Sequence, residues 1–167
     1  RWFAPEGVGD EAVFRLNGRR VVLKSAISWG FWPVTGAVPS DELARRQVES
    51  ARALGLNMLN HHRTPSAPGL LDVQDELGLL AHAEPGGHWC QGGDGLTFAL
   101  ARERWRRLVL RDRSRPSLVI RNLVNEATVE PDARLRDDLA LGHALDPSRT
   151  LTFTSAWDDR FGAGAGL

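Results

Sequence analysis

Several apolar runs in this sequence end in groups that can do chemistry. Ser117 to Val124 reads SLVIRNLV and stops at Asn125-Glu126. A carboxylate closing such a run stands at a half-desolvated rim, where its pKa can rise enough for general acid work near neutral pH. The neighbouring Asn125 amide can donate to a substrate hydroxyl, while a glutamate that merely caps the following turn is the plain alternative. Other runs close in Asn60-His61-His62, in His82-Ala83-Glu84, near Ser28-Trp29 and in Ser155-Ala156-Trp157. His61, His62, His82, Glu84 and His88 are acceptable ligand types for zinc. They lack H-x-H or H-E-x-x-H spacing, and adjacent His61 and His62 point to opposite faces of a strand. No metal is therefore assigned.

These run ends matter if one scaffold brings them together. Val21 to Trp29 is β-rich and bounded by Asn17-Gly18 and Pro33, which predicts a strand. Ser40 is the N-cap of a helix whose apolar positions Leu43, Val48, Ala51 and Leu54 recur at helical spacing, and Gly55 stops it. Leu56 to Asn60 is a short buried strand. Leu70 to Leu77 is a helix closed by Gly78, and Leu79 to Ala83 a third strand. Pro85 to Gly95 is a glycine-rich loop without the strand and helix context of a nucleotide site. Phe98, Ala101, Trp105, Leu108 and Val109 share one helix face, with Trp105 in the core and Arg102, Arg104, Arg106 and Arg107 on a solvated face. Ser117 to Val124 is a fourth strand, Pro131 to Ala144 a helix and Leu151 to Ser155 a fifth strand. Strands alternating with helices predict an α/β fold with a mainly parallel sheet, doubly wound or closed as a barrel. A complete (β/α)₈ barrel needs on the order of 250 residues, so about five βα units of one would be present. In either architecture, functional residues gather at the C-terminal strand ends. Asn57, Asn60, Glu84, Asn125 and Glu126 are expected to share that rim.

Composition narrows the class further. The 167 residues carry 21 basic and 21 acidic side chains, a formal net charge of +0. That balance gives no electrostatic footprint for nucleic acid or an anionic membrane, and no run reaches the roughly 18 apolar residues of a span. Cys90 is the single cysteine, is read as incidental, and says little about compartment. No targeting segment is visible, and a cytoplasmic location is favoured over secretion. The start at Arg1 and the Gly/Ala-rich end suggest a fragment.

A resemblance follows from the motifs. Arg111-Asp112-Arg113-Ser114-Arg115-Pro116-Ser117-Leu118-Val119-Ile120, with Leu123, Asn125 and Glu126, resembles the R-D-x-N-H-P-S-I-I-x-W-S-x-G-N-E signature of glycoside hydrolase family 2. This is the group of β-galactosidases, β-glucuronidases and β-mannosidases. Phe14-Arg15-Leu16-Asn17-Gly18 with Leu23-Lys24 is similar to its F-x-L-N-G-x-x-x-x-L-K-G. Gly55-Leu56-Asn57, Asp75-Glu76-Leu77-Gly78-Leu79-Leu80 and Asp146-Pro147-Ser148-Arg149-Thr150 resemble its G-x-N, D-E-x-G-(I/L)-L and D-P-T-R-P, and Arg1-Trp2-Phe3 its G-F-R-x-F. The six segments fall in the family's order from Arg1 to Trp157.

The resemblance implies a partial TIM barrel over residues 14–157, preceded by the end of a β-domain or linker (1–13) and followed by a tail (158–167). It implies retaining hydrolysis of terminal β-glycosides without a cofactor. Glu126 would be the general acid/base, and the nucleophile would lie on a seventh strand beyond this chain. The implied partner is a carbohydrate, with no nucleic acid or membrane, and a homo-oligomer is possible through missing or flanking domains. Asn125, Asn60, His61 and His62 are then candidates for sugar hydroxyls. Trp29, Trp32, Trp89 and Trp157 can stack on a pyranose. Glu84 is either a substrate-binding or electrostatic neighbour or a structural ion pair with an arginine. Arg115, Ser114, Arg121, Asn122 and Val124 stand where the family has histidine, asparagine, tryptophan, serine and glycine. Asn60 and Arg63 take the arginine and histidine positions of N-x-x-R-x-x-H. These departures mark a divergent branch. The other readings are a non-catalytic carbohydrate-binding remnant and a metal-dependent hydrolase using the strand-end histidines.

Overall fold

A computed structural model of the chain describes residues 3–7, 9–86, 95–125 and 133–154. It opens with three short antiparallel strands in the order β1-β2-β3: β1 (Phe3–Glu6), β2 (Val13–Leu16) and β3 (Arg19–Val21). Asn17 and Gly18 join β2 to β3 at φ 52° and 80°, the left-handed pair that a two-residue hairpin turn needs to match strand twist. Five parallel strands follow: β4 (Ser25–Ser28), β5 (Met58–His61), β6 (Leu80–Ala83), β7 (Leu118–Val124) and β8 (Thr150–Thr154). Helices α1 (Asp41–Ala53), α2 (Pro68–Leu77), α3 (Gly95–Asp112) and α4 (Ala133–Leu145) connect them in turn. The chain is thus a mixed α/β domain whose parallel strands stand in sequence order, β4-β5-β6-β7-β8.

The span Val21 to Trp29, expected as one strand, is divided between two sheets. Val21 ends β3, Ser25 begins β4, and the backbone between them is held by a side chain. Asn57 accepts from the Lys24 amide at 2.7 Å through Oδ1 and donates to the Val22 carbonyl at 2.8 Å. Asn57 therefore sits where β5 begins, at the end opposite the expected rim. The helix signals were sound: Ser40 Oγ accepts from the Leu43 amide at 3.3 Å, and Gly78 closes α2 in the left-handed region.

The register assigns each strand residue to a face. Ala26, Leu59, Ala81 and Leu118 stand side by side and meet the apolar positions of α1 and α2. Leu123 packs in the same layer against Phe98, Trp105 and Val109 of α3 and Leu135 of α4. The helices thus pack on one face of the parallel sheet. On the opposite face, Met58, Leu80, Val119 and Ile120 pack with Phe3, Phe14, Leu16, Val21 and Leu23 of the first 23 residues. Phe3 and Phe14 stack with ring centroids 5.1 Å apart. A register shift where β6 meets β7 lets Val119 and Ile120 both reach this cluster. The antiparallel sheet thus covers the lower half of the helix-free face. Farther along the same strands, that face turns polar. Asn60 follows Met58, His82 follows Leu80, and Asn122 lies opposite Thr152, which donates to it at 3.0 Å.

Candidate functional site

The C-terminal ends of β4, β5 and β6 are knit together by backbone and aromatic contacts. The His62 amide donates to the Ser28 carbonyl at 2.9 Å. The His62 ring stands edge-on to Trp29, with centroids 4.7 Å apart and planes at 87°. On its other side, Nδ1 lies 3.4 Å from Glu84 Oε1. Glu84 is buried, at 3% exposure, and its Oε2 accepts from the Arg63 amide at 2.7 Å. That bond goes with an unusual backbone, because Arg63 holds φ 57°, a conformation costing of order 1 kcal/mol or more in a non-glycine residue. The Arg63 guanidinium lies 6.0 Å from the Trp29 ring centroid, near the outer limit of cation–π attraction. Gly30 lets the loop after β4 approach the loop after β5, since a Cβ there would collide with the Thr64 methyl.

The polypeptide thus brings together Trp29, His62 and Glu84 from three consecutive strand ends. Trp29 is half exposed and offers its indole to solvent, while His62 and Glu84 are buried behind it. Asn125 is buried at the end of β7. Glu126 and Trp157, together with Trp89, His88 and Cys90, lie outside the described residues. Trp32 is partly buried and packs against the apolar cluster between α1, α2 and β5.

His61 leaves the group. It shares its face with Leu59 and points into the helix layer, where Nε2 lies 2.7 Å from Gln74 Oε1, and Gln74 in turn donates to the Leu80 carbonyl. Burial pushes its pKa down to about 4, against a smaller opposing effect of the Gln74 bond. A neutral imidazole sealed under α2 cannot touch a substrate at the rim. Arg121 also faces the helices. It is fully buried, with Nη2 3.4 Å from both Asp146 Oδ2 and the Val109 carbonyl. Arg115 pairs with Asp72 and Asp75 on α2. Two residues that break the family pattern thus have structural partners of their own.

His82, weighed in the sequence as a zinc-ligand type but not as a sugar contact, stands beside Asn60 on the helix-free face. Burial lowers its pKa, with Glu84 pulling upward and His62 downward. The signal was present in Leu80-Ala81-His82-Ala83, where period two sets His82 apart from the helix-facing alanines. Among the described residues, no three His, Cys, Asp or Glu side chains converge as a metal-holding group.

The chain is 30% identical over 168 residues to a Formosa agariphila protein provisionally named β-glucuronidase, a match covering 89% of this chain and 19% of that protein. It is 30% identical over 142 residues to a Thermoanaerobacter pseudethanolicus β-galactosidase, covering 84% of this chain and 19% of the relative. Among solved structures, a glycosyl hydrolase family 2 member from Bacteroides cellulosilyticus superposes with a TM-score of 0.78 at 26% identity, over 90% of this chain and 20% of that one. This chain is a relative of the family 2 glycoside hydrolases. It spans about a fifth of the length of the curated relatives it matches, and no family model matches it. The rim carrying Trp29, His62 and Glu84 lies at the C-terminal ends of β4, β5 and β6.

Proposed function

We propose that this chain supplies the first five βα units of the catalytic barrel of a retaining glycosidase that cleaves terminal β-glycosides, with Glu126 as general acid/base. The observation that carries the reading is the convergence of Trp29, His62 and Glu84 at consecutive parallel strand ends, in a relative of family 2 enzymes. Glu126 directly follows Asn125, the buried residue at the end of β7. In the proposed reaction, Glu126 protonates the glycosidic oxygen while a second carboxylate, about 5–5.5 Å away, attacks the anomeric carbon. Glu84 is committed to the Arg63 amide and faces His62, so we assign it to substrate binding and leave the nucleophile to a strand beyond these 167 residues. Trp29 supplies a stacking face for the sugar, and Trp157 another. Asn125, Asn60 and His62 meet its hydroxyls. The reaction needs no cofactor, and flanking domains would carry any self-association.

The test is made on the chain expressed with its flanking coding sequence, using aryl β-glucuronides and β-galactosides. Glu126→Gln is expected to lower kcat/KM strongly for poor leaving groups and much less for good ones, because only the former require protonation. Equal losses would remove Glu126 from the acid role. Sugar binding without any turnover would favour a carbohydrate-binding remnant.

A further inference from the structure

On the helix-free face, one row of side chains runs across four strands: Ile27 on β4, Asn60 on β5, His82 on β6 and Ile120 on β7, each in register with the next. Two polar residues are bracketed by two isoleucines. Asn60 Oδ1 and His82 Nε2 are both buried, and neither has a hydrogen-bond partner. A buried polar atom left unsatisfied costs about 1–3 kcal/mol, and here two stand on neighbouring strands, roughly 5 Å apart at Cβ. The layer beneath is closed, because Met58 and Leu80, two residues earlier on the same strands, pack against Phe3 and the first sheet. The pair therefore stands directly above an apolar floor, and Glu84 acts electrostatically on His82.

We propose that Asn60 and His82 jointly bind one hydroxyl of the sugar, which rests on the glycosidase reading above and adds His82 to the residues that set specificity. The chemistry selects the ligand group. Asn60 Oδ1 only accepts, whereas a neutral imidazole donates at Nε2 in its Nε2–H tautomer, the one we assign here; a hydroxyl both donates and accepts, and so satisfies both atoms at once. A carboxylate would place its oxygen against Asn60 Oδ1 and near Glu84. An ammonium group would satisfy Asn60 and leave the imidazole N–H without an acceptor. In the row the pair stands between Ile27 and Ile120, so it reads one position of the ring.

The test compares the parent aryl β-glycoside with its monodeoxy analogues, each lacking one hydroxyl, on the chain expressed with its flanking sequence. His82→Leu is expected to lower kcat/KM about 10- to 100-fold on the parent. For one deoxy analogue, already poor with the unaltered protein, the substitution is expected to cause no further loss. His82→Gln, which keeps a side-chain N–H, should recover part of the activity, and it carries the test if His82→Leu does not fold. The same loss on every analogue, or no loss on any, overturns the proposal while leaving the glycosidase reading intact. Absence of turnover by the unaltered protein overturns both.

Discussion

His61 and His62 are neighbours in sequence with opposite fates, and the difference has a measurable consequence. His61 is held neutral under α2 with its pKa pushed down to about 4 by burial, whereas an unfolded histidine titrates near 6.5. Between those values the unfolded chain binds a proton that the folded chain does not, so stability rises with pH. The contribution is fully present above about pH 6.5 and is lost as pH falls toward about 4, amounting to roughly 3 kcal/mol for a shift of this size. Urea-unfolding midpoints measured across that window should fall steeply with acid, and His61→Gln should flatten the dependence. Burial lowers the His82 pKa too, so part of the slope should survive the substitution. Period two separated His61 from His62 in the sequence, but it did not reveal which histidine faced the helices. That is set by the register of β5 against its neighbours, a property of the assembled sheet. Glu84 was legible as a rim carboxylate; its hold on the Arg63 amide was not, because the left-handed backbone at Arg63 has no glycine or asparagine to mark it.

Elements were readable where their pattern was long. α1 announced itself through Ser40 and Gly55, and β7 through the run SLVIRNLV, whose seven residues from Leu118 to Val124 are all buried. β2 and β3 have four and three residues, too few for alternation to register, and the Asn17-Gly18 turn between them served in the sequence as a boundary and as part of a motif, not as a hairpin. The packing of α3 on α4 offers a test at this scale. Trp105 is buried and its Nε1 donates to the Asp138 carbonyl at 2.8 Å, which fixes the indole in place. A Cβ at Gly142 of α4 would come within 2.7 Å of Trp105 Cζ2. In an exposed helix, Gly→Ala gains about 1 kcal/mol, whereas forcing atoms into a packed core costs about 1–3 kcal/mol. The rigid indole decides the sign. Gly142→Ala should destabilise the fold by about 1 kcal/mol net, visible as a lower melting temperature. A rise would mean that α4 can slide away from Trp105.

At the scale of the whole molecule, β4 and β8 are the edges of the parallel sheet. Ile27, Trp29 and Phe31 at the β4 side are more than half exposed. Unpaired edges beside apolar surface favour association, and two carboxylates are needed for the proposed chemistry. The 167-residue chain by itself should therefore release no aglycone from aryl β-glycosides and should grow in mass with concentration in light scattering. A monodisperse monomer with turnover abolished by Glu126→Gln would place the whole reaction within this chain and make Glu84 the first candidate nucleophile. The strand order was legible only as an alternation of elements, since adjacency in the sheet follows from how each helix returns the chain. The contact of Phe3 with Val119 and Ile120 bears on how the molecule is made. Each βα unit can dock on the one before it as it emerges, yet the cluster that Phe3 and Phe14 begin is completed only by Val119 and Ile120, more than a hundred residues downstream. At 5–20 residues per second of synthesis, the aromatics of the first sheet remain incompletely covered for roughly 5 to 20 s, the interval in which a nascent chain is open to chaperone capture.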